Sequence, residues 1–352
     1  MRPAEFAGKV VMITGASAGV GRAAARAFTR AGARVALIAR DPGGLEETRA
    51  ELIAAGGDAQ IFPADVADAE AVFAAAAACE TQMGPIDIWV NNAMAAVFSS
   101  VDDLTPGEIA RVTDVTYLGY VHGTLAALRQ MRPRDAGTII QVGSALAYRG
   151  IPLQAAYCGA KHAIRGFTDA LRTELIHARS GIALTAVHLP AMNTPQFDWA
   201  RTHRDRLPRP VAPVYEPERA ARALLQAARR PDREYWLGVM TPVTIFANMF
   251  FPGLMDRYLA ARAVEGQDRA SPVGARHPDN LETPVAGAHR TEGAFTDEAR
   301  EEALLLSEIP ARAALVVGGA ALVLAGRLLI GRRVFRPPEK GRKPMATSSS
   351  AP

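Results

Sequence analysis

Thr14-Gly15-Ala16-Ser17-Ala18-Gly19-Val20-Gly21 is the stretch whose reading decides the fold. It is entered directly from Lys9–Ile13, a short β-branched apolar run with the character of a buried strand. Ala23–Ala31 then reads as a helix stopped by Gly32, and Arg34–Ala39 as a second buried strand. A glycine-rich turn between a strand and a helix is the context in which such a motif means a bound dinucleotide. Gly15 permits the tight turn, and Gly19 and Gly21 allow backbone and helix to approach a pyrophosphate. The helix start offers free N–H groups and a positive dipole end to phosphates. Ser17 and Val20 complete the candidate contacts on this side.

A second constellation stands far downstream. Thr138–Val142 reads as a strand running into Gly143-Ser144, and Ala155–Ala178 as a long helix carrying Tyr157-Cys158-Gly159-Ala160-Lys161. Residues four apart share a helix face, so the Tyr157 phenol and the Lys161 ammonium lie one turn from each other. A neighbouring cation favours phenolate, so Lys161 is expected to lower the Tyr157 pKa. With the Ser144 hydroxyl, the pair is equipped to move a proton on or off a carbonyl or alcohol oxygen. Coupled to a dinucleotide, the matching reaction is hydride transfer.

From about Lys9 to Leu237 the chain resembles the short-chain dehydrogenase/reductase family. The resemblance implies a doubly wound, Rossmann-type α/β domain with a parallel sheet over residues 1–240. It implies Tyr157 as general acid or base, Lys161 as the group that lowers its pKa and binds the nicotinamide ribose, and Ser144 as donor to the substrate oxygen. Asp65-Val66 is expected against the adenine, and Asn91 and Ala93, in Asn91-Asn92-Ala93-Met94, along the cofactor. Pro190 and Thr194 match the nicotinamide loop. Ala39 occupies the position of the family's NAD-selecting acid and Arg40 follows it, so a guanidinium is available to a 2′-phosphate. The expected cofactor is NADP, with NAD the lesser alternative.

Three positions depart from the family pattern: Met94 for glycine, Ala191 for glycine, and Thr116 for an asparagine that helps hold a proton-relay water. Thr116 is carried as a candidate catalytic residue, acting through its carbonyl or its side chain. Leu146, Ala147, Ile151 and Leu153, with Phe197, Trp199 and the Arg201–Arg209 run, are expected around the substrate. The expected substrate is a lipophilic ketone or secondary alcohol. The rival reading is a low-turnover nucleotide-binding scaffold or membrane-localised redox-responsive protein.

The 352 residues carry a net charge of +4, two cysteines and seven histidines, with no metal-ligand spacing and no basic–aromatic cluster in the catalytic half. No metal, nucleic-acid partner or disulfide framework is expected. No signal-peptide pattern opens the chain, and the catalytic domain is expected in the cytoplasm. Beyond Glu234–Leu237, residues 241–261 are apolar and read as a lid or an interfacial membrane segment. Residues 262–308 are polar and read as a linker or an extended arm. Ala313–Ile330 is almost wholly apolar with a basic flank, either a membrane anchor or a helix packed on a partner. The family also implies a homo-oligomer through Tyr117–Met131 and Ala155–Ala178, where Ala155, Ala156, Ala160 and Ala163 form a small face.

Overall fold

The computed structural model describes residues 5–274, 277–287 and 289–313. Residues as far as Glu308 make one compact unit, and a second begins at Ile309. In the first, β1 (Val10–Thr14), β2 (Arg34–Ile38), β3 (Asp58–Ile61), β4 (Ile86–Asn91), β5 (Gly137–Ser144), β6 (Ile182–Leu189), β7 (Glu234–Leu237) and β8 (Leu305–Ser307) form a single sheet. Its order is β8-β7-β6-β5-β4-β1-β2-β3. Only the β7–β8 pairing is antiparallel. Winding reverses between β1 and β4, and a crevice opens beyond the carboxyl ends of the strands there.

The strands are apolar on both faces because helices cover both. Along β1, Val11 and Ile13 pack with Phe28 and Leu224, while Val10 and Met12 pack with Trp89 and Leu171 on the other side. The covering helices are α1 (Gly19–Arg30), α2 (Pro42–Ala54), α3 (Ala69–Met83), α4 (Pro106–Thr113), α5 (Gly119–Met131), α6 (Ala155–His177) and α7 (Pro217–Arg229). Local chemistry sets their starts. Asp41 accepts from the Gly43 and Gly44 amides ahead of α2, Asp68 does the same for α3, and Thr105 with Glu108 forms a capping box on α4. A π-helical turn, Asp114–Leu118, joins α4 to α5. On α6, Ala155, Gly159, Gly166 and Ala170 form the exposed small ridge, whereas Ala160 is buried.

Beyond β7 the chain continues as two helices and an arm. Helices α8 (Met240–Phe250) and α9 (Pro252–Arg262) form a hairpin whose inner side chains line the main cavity. Phe250, Phe251 and Leu254 are exposed. Of the two readings given for residues 262–308, a linker or an extended arm, the described residues of this stretch follow the second and pack within the catalytic unit. Asp268–Pro272 pairs with Arg206–Pro208, the Arg300 amide donates to the Val214 carbonyl (2.9 Å), and β8 closes the sheet edge. Ion pairs fasten it: Arg201 to Asp279 (2.5 Å), Arg204 to Asp268 (2.7 Å) and Arg209 to Glu298. Low hydropathy concealed this docking, because charge pairing and backbone bonds supply it in place of an apolar stripe.

The glycine turn has no room for side chains. Gly15 has φ +66°, and a Cβ on Gly21 would lie 2.1 Å from the Gly15 carbonyl oxygen and 2.7 Å from Asn92 Nδ2. Gly21→Ala is expected to destabilise the fold by about 1–3 kcal/mol through overpacking. Urea unfolding of variant and parent checks this, and coincident midpoints would contradict it.

Candidate active site

One cavity of about 770 Å³ runs from the glycine turn to the start of α6 and on beneath α8 and α9. At one end it is lined by Gly15, Ser17, Gly19, Val20, Arg40, Asp65 and Val66, and in its middle by Asn92, Ala93, Met94, Ser144, Tyr157, Lys161, Pro190 and Thr194. Strand ends and the first turns of α1 and α6 deliver these groups to one crevice. Gly21 lies behind the turn and acts by permitting close packing.

Lys161 is buried on α6 and donates to the Val142 carbonyl (2.9 Å) and the Tyr120 hydroxyl (3.0 Å). Tyr120 in turn donates to Val142 O (2.9 Å). Two of the three ammonium donors are thereby engaged, leaving one for the cavity that Lys161 lines. Burial pushes its pKa down to about 7. Ser144 Oγ accepts from the Leu146 amide (3.1 Å), which leaves its own hydrogen to donate, to Tyr157 among others.

Burial raises the Tyr157 pKa, opposed by a hydrogen bond with Ser144. This corrects the expectation that Lys161 lowers it. Lys161 Nζ is 5.6 Å from the Tyr157 ring centre, its bonds go to Val142 and Tyr120, and desolvation outweighs what remains. The phenol is therefore held protonated, in its donating form.

Other placements also depart from the sequence reading. Asn91 is fully buried between β4, β5 and α5, bonded to Trp89, Thr124 and Gln141, so it does not face the cavity. Strand alternation gives that face to Asn92, which donates to Thr14 O (2.9 Å). The Thr116 hydroxyl bonds both backbone groups of Ala95, donating to the carbonyl (3.0 Å) and accepting from the amide (2.9 Å). It ties the π-turn to the loop after β4 and does not reach Lys161. Leu146, Ile151, Phe197 and Trp199 line the cavity as expected. Ala147 and Leu153 are buried outside its lining, and Arg201, Arg204 and Arg209 hold the arm.

Behind Ser144 lies a cluster that no sequence spacing announced. His188 Nδ1 is 3.2 Å from the Ser144 carbonyl and Nε2 is 3.5 Å from Glu234, whose carboxylate also takes the Tyr148 hydroxyl. These residues come together only through the β6–β7 register and the turn after β5.

Residues 9–205 match the family model described as short chain dehydrogenase. The chain belongs to the short-chain dehydrogenase family. An uncharacterized oxidoreductase of Bacillus subtilis, YxnA, is 33% identical over 283 residues, 80% of each chain. Among solved structures, a metagenomic short-chain oxidoreductase in complex with NADP is similar, with TM-score 0.55 and 26% identity over 64% of this chain and 93% of that one. Levodione reductase is also similar, with TM-score 0.52 and 31% identity over 54% and 74% of the two chains. This short-chain dehydrogenase is an NAD(P)-dependent oxidoreductase acting on CH–OH groups. Among its described residues no metal-binding cluster occurs, and no helix is long and apolar enough to cross a membrane. The apolar stretch 313–330 lies, but for its first residue, outside the described residues.

The depressed Lys161 pKa fixes the sign of a pH effect. Between about 7 and the ordinary lysine value, the unfolded chain binds a proton that the folded chain releases, so this group makes stability rise with pH. Without added nucleotide, Lys161→Met is therefore expected to gain more over the parent at pH 7 than at pH 9.5. Urea midpoints at both pH values test it, and a pH-independent difference would contradict it.

Proposed function

We propose that this chain is an NADP(H)-preferring reductase or dehydrogenase of a lipophilic carbonyl/secondary alcohol pair. The observation that carries the reading is the meeting of Ser144, Tyr157 and Lys161 in one cavity whose other end bears Arg40 beside Ala39. The glycine cradle fits a dinucleotide: Gly15 and Gly21 exclude side chains from the turn, and Arg22 closes the first bond of α1 onto Ala18 (3.2 Å). A nicotinamide dinucleotide bound there would supply or accept the hydride.

The chain's own groups handle the proton and the orientation. Tyr157 donates its phenolic proton to the substrate oxygen in reduction and takes it back in oxidation. Ser144 directs its hydroxyl hydrogen at the same oxygen, and the free Lys161 donor is available to the nicotinamide ribose. Thr116 contributes to a relay only through its carbonyl, because its hydroxyl is engaged. The far end of the cavity supports an apolar substrate: Leu146, Ile151, Met192, Phe197, Val243, Leu254 and Leu259 line it. Arg149, the charged residue there, is paired with Asp256. The exposed tip of α8 and α9, together with 313–330, makes membrane association part of the proposal. So is homo-oligomerisation through the outer faces of α5 and α6.

Tyr157→Phe is expected to lower turnover of NADPH with an apolar ketone by on the order of 10²–10⁴-fold while NADPH binding persists. Steady-state kinetics beside a binding titration check this, and undiminished turnover would contradict the assignment. NADPH is expected to bind more tightly than NADH, and Arg40→Ala to remove most of the difference. Equal parental affinities would overturn the cofactor preference.

A further inference from the structure

The arm passes directly over the adenosine end of the cavity, where Asn280, Pro284, Val285 and His289 complete the wall. Leu281 is fully buried in the core cluster containing Ala64 and Val66. Its carbonyl accepts from Arg111, which also pairs with Asp65 (2.6 Å). The Arg290 carbonyl accepts from the Gly19 amide (3.0 Å), and His289 Nε2 lies 2.6 Å from the Asp41 carboxylate. The glycine turn, the end of β2 and the loop after β3 are thus all bound to one segment.

Arg40 is the centre of this seam. Its Nη1 donates to the carbonyls of Leu281 (3.1 Å) and Glu282 (3.0 Å), and its Nη2 to that of Asn280. A guanidinium has five N–H donors in a plane. Three are engaged by the arm, and Nε–H and one Nη2–H remain without an acceptor among the described residues. Those two sit on neighbouring nitrogens of a side chain that lines the cavity, the kind of donor pair that grips a phosphate bidentately.

We propose that Arg40 holds the arm with three donors and the adenosine 2′-phosphate with the other two. Phosphate binding and arm closure then stabilise each other, and the arm is a selective wall of the cofactor site. This rests on the nucleotide reading above and extends it: discrimination between NADP(H) and NAD(H) arises from the Arg40–arm unit as well as from the guanidinium charge. A dinucleotide lacking the 2′-phosphate makes no use of the free pair, so it leaves the arm as it was.

Hydrogen exchange in the full-length chain reads the arm directly and does not depend on turnover. The reporters are the Asn280 amide, bonded to Trp199 O (3.1 Å), and the Leu281 amide, bonded to Asp279 (2.8 Å). Saturating NADPH is expected to slow their exchange by on the order of tenfold, with a much smaller effect from saturating NADH. Arg40→Lys, which keeps the charge but has no planar fork, is expected to bind NADPH and lose the slowing. Equal protection by both nucleotides, or no change at Asn280 and Leu281 while NADPH is bound, overturns the coupling and leaves the oxidoreductase reading standing. Absence of NADPH binding in a folded chain overturns both.

Discussion

The buried ammonium of Lys161 is the constraint around which the site is organised. An unpaired charge at that depth is costly, and the chain meets the cost with the Val142 carbonyl at the end of β5 and the Tyr120 hydroxyl on α5. Those bonds fix α6 against β5 and thereby set Tyr157 beside Ser144. Burial also draws the Lys161 pKa down to about 7 and the Tyr157 pKa up. In one arrangement, the same desolvation shapes the fold and keeps the phenol in the protonated form that the proposed role requires.

A second constraint operates at the other end of the cavity, where peptide carbonyls of the arm meet a guanidinium and a helix start. Carbonyl oxygens suit Arg40 and the Gly19 amide because they bring partial negative charge without a competing formal charge. The glycine-turn end of the cavity is thus walled by the arm, while the other end is walled by the apolar inner faces of α8 and α9. The two walls differ in chemistry as the two ends of the expected ligands do.

Much of this was legible in the residues themselves. The strand–turn–helix around Gly15–Gly21 and the Tyr157/Lys161 spacing depend on local geometry, and local geometry is what sequence records best. Asn91 was misplaced because the resemblance marks the segment, while strand alternation decides which of two adjacent asparagines faces the cavity. The lowered Tyr157 pKa was misjudged because helix spacing reports proximity to Lys161 but not depth. Tyr120, the His188–Glu234 pair and the way the arm docks escaped notice for a further reason. Each is made by residues far apart in the chain, and in the arm's case by main-chain carbonyls, which carry no sequence signature.

The central claim is that this cavity brings a nicotinamide hydride and a carbonyl together under Tyr157 and Ser144. The most direct measurement is to supply NADPH deuterated at the transferable C4 position to the full-length chain with a panel of apolar ketones, and to locate the label in the alcohol by mass spectrometry. The account predicts one deuterium on the carbinol carbon of at least one product. Bound NADPH with no label transferred to any ketone, alongside transfer to a substrate of another class, would contradict it.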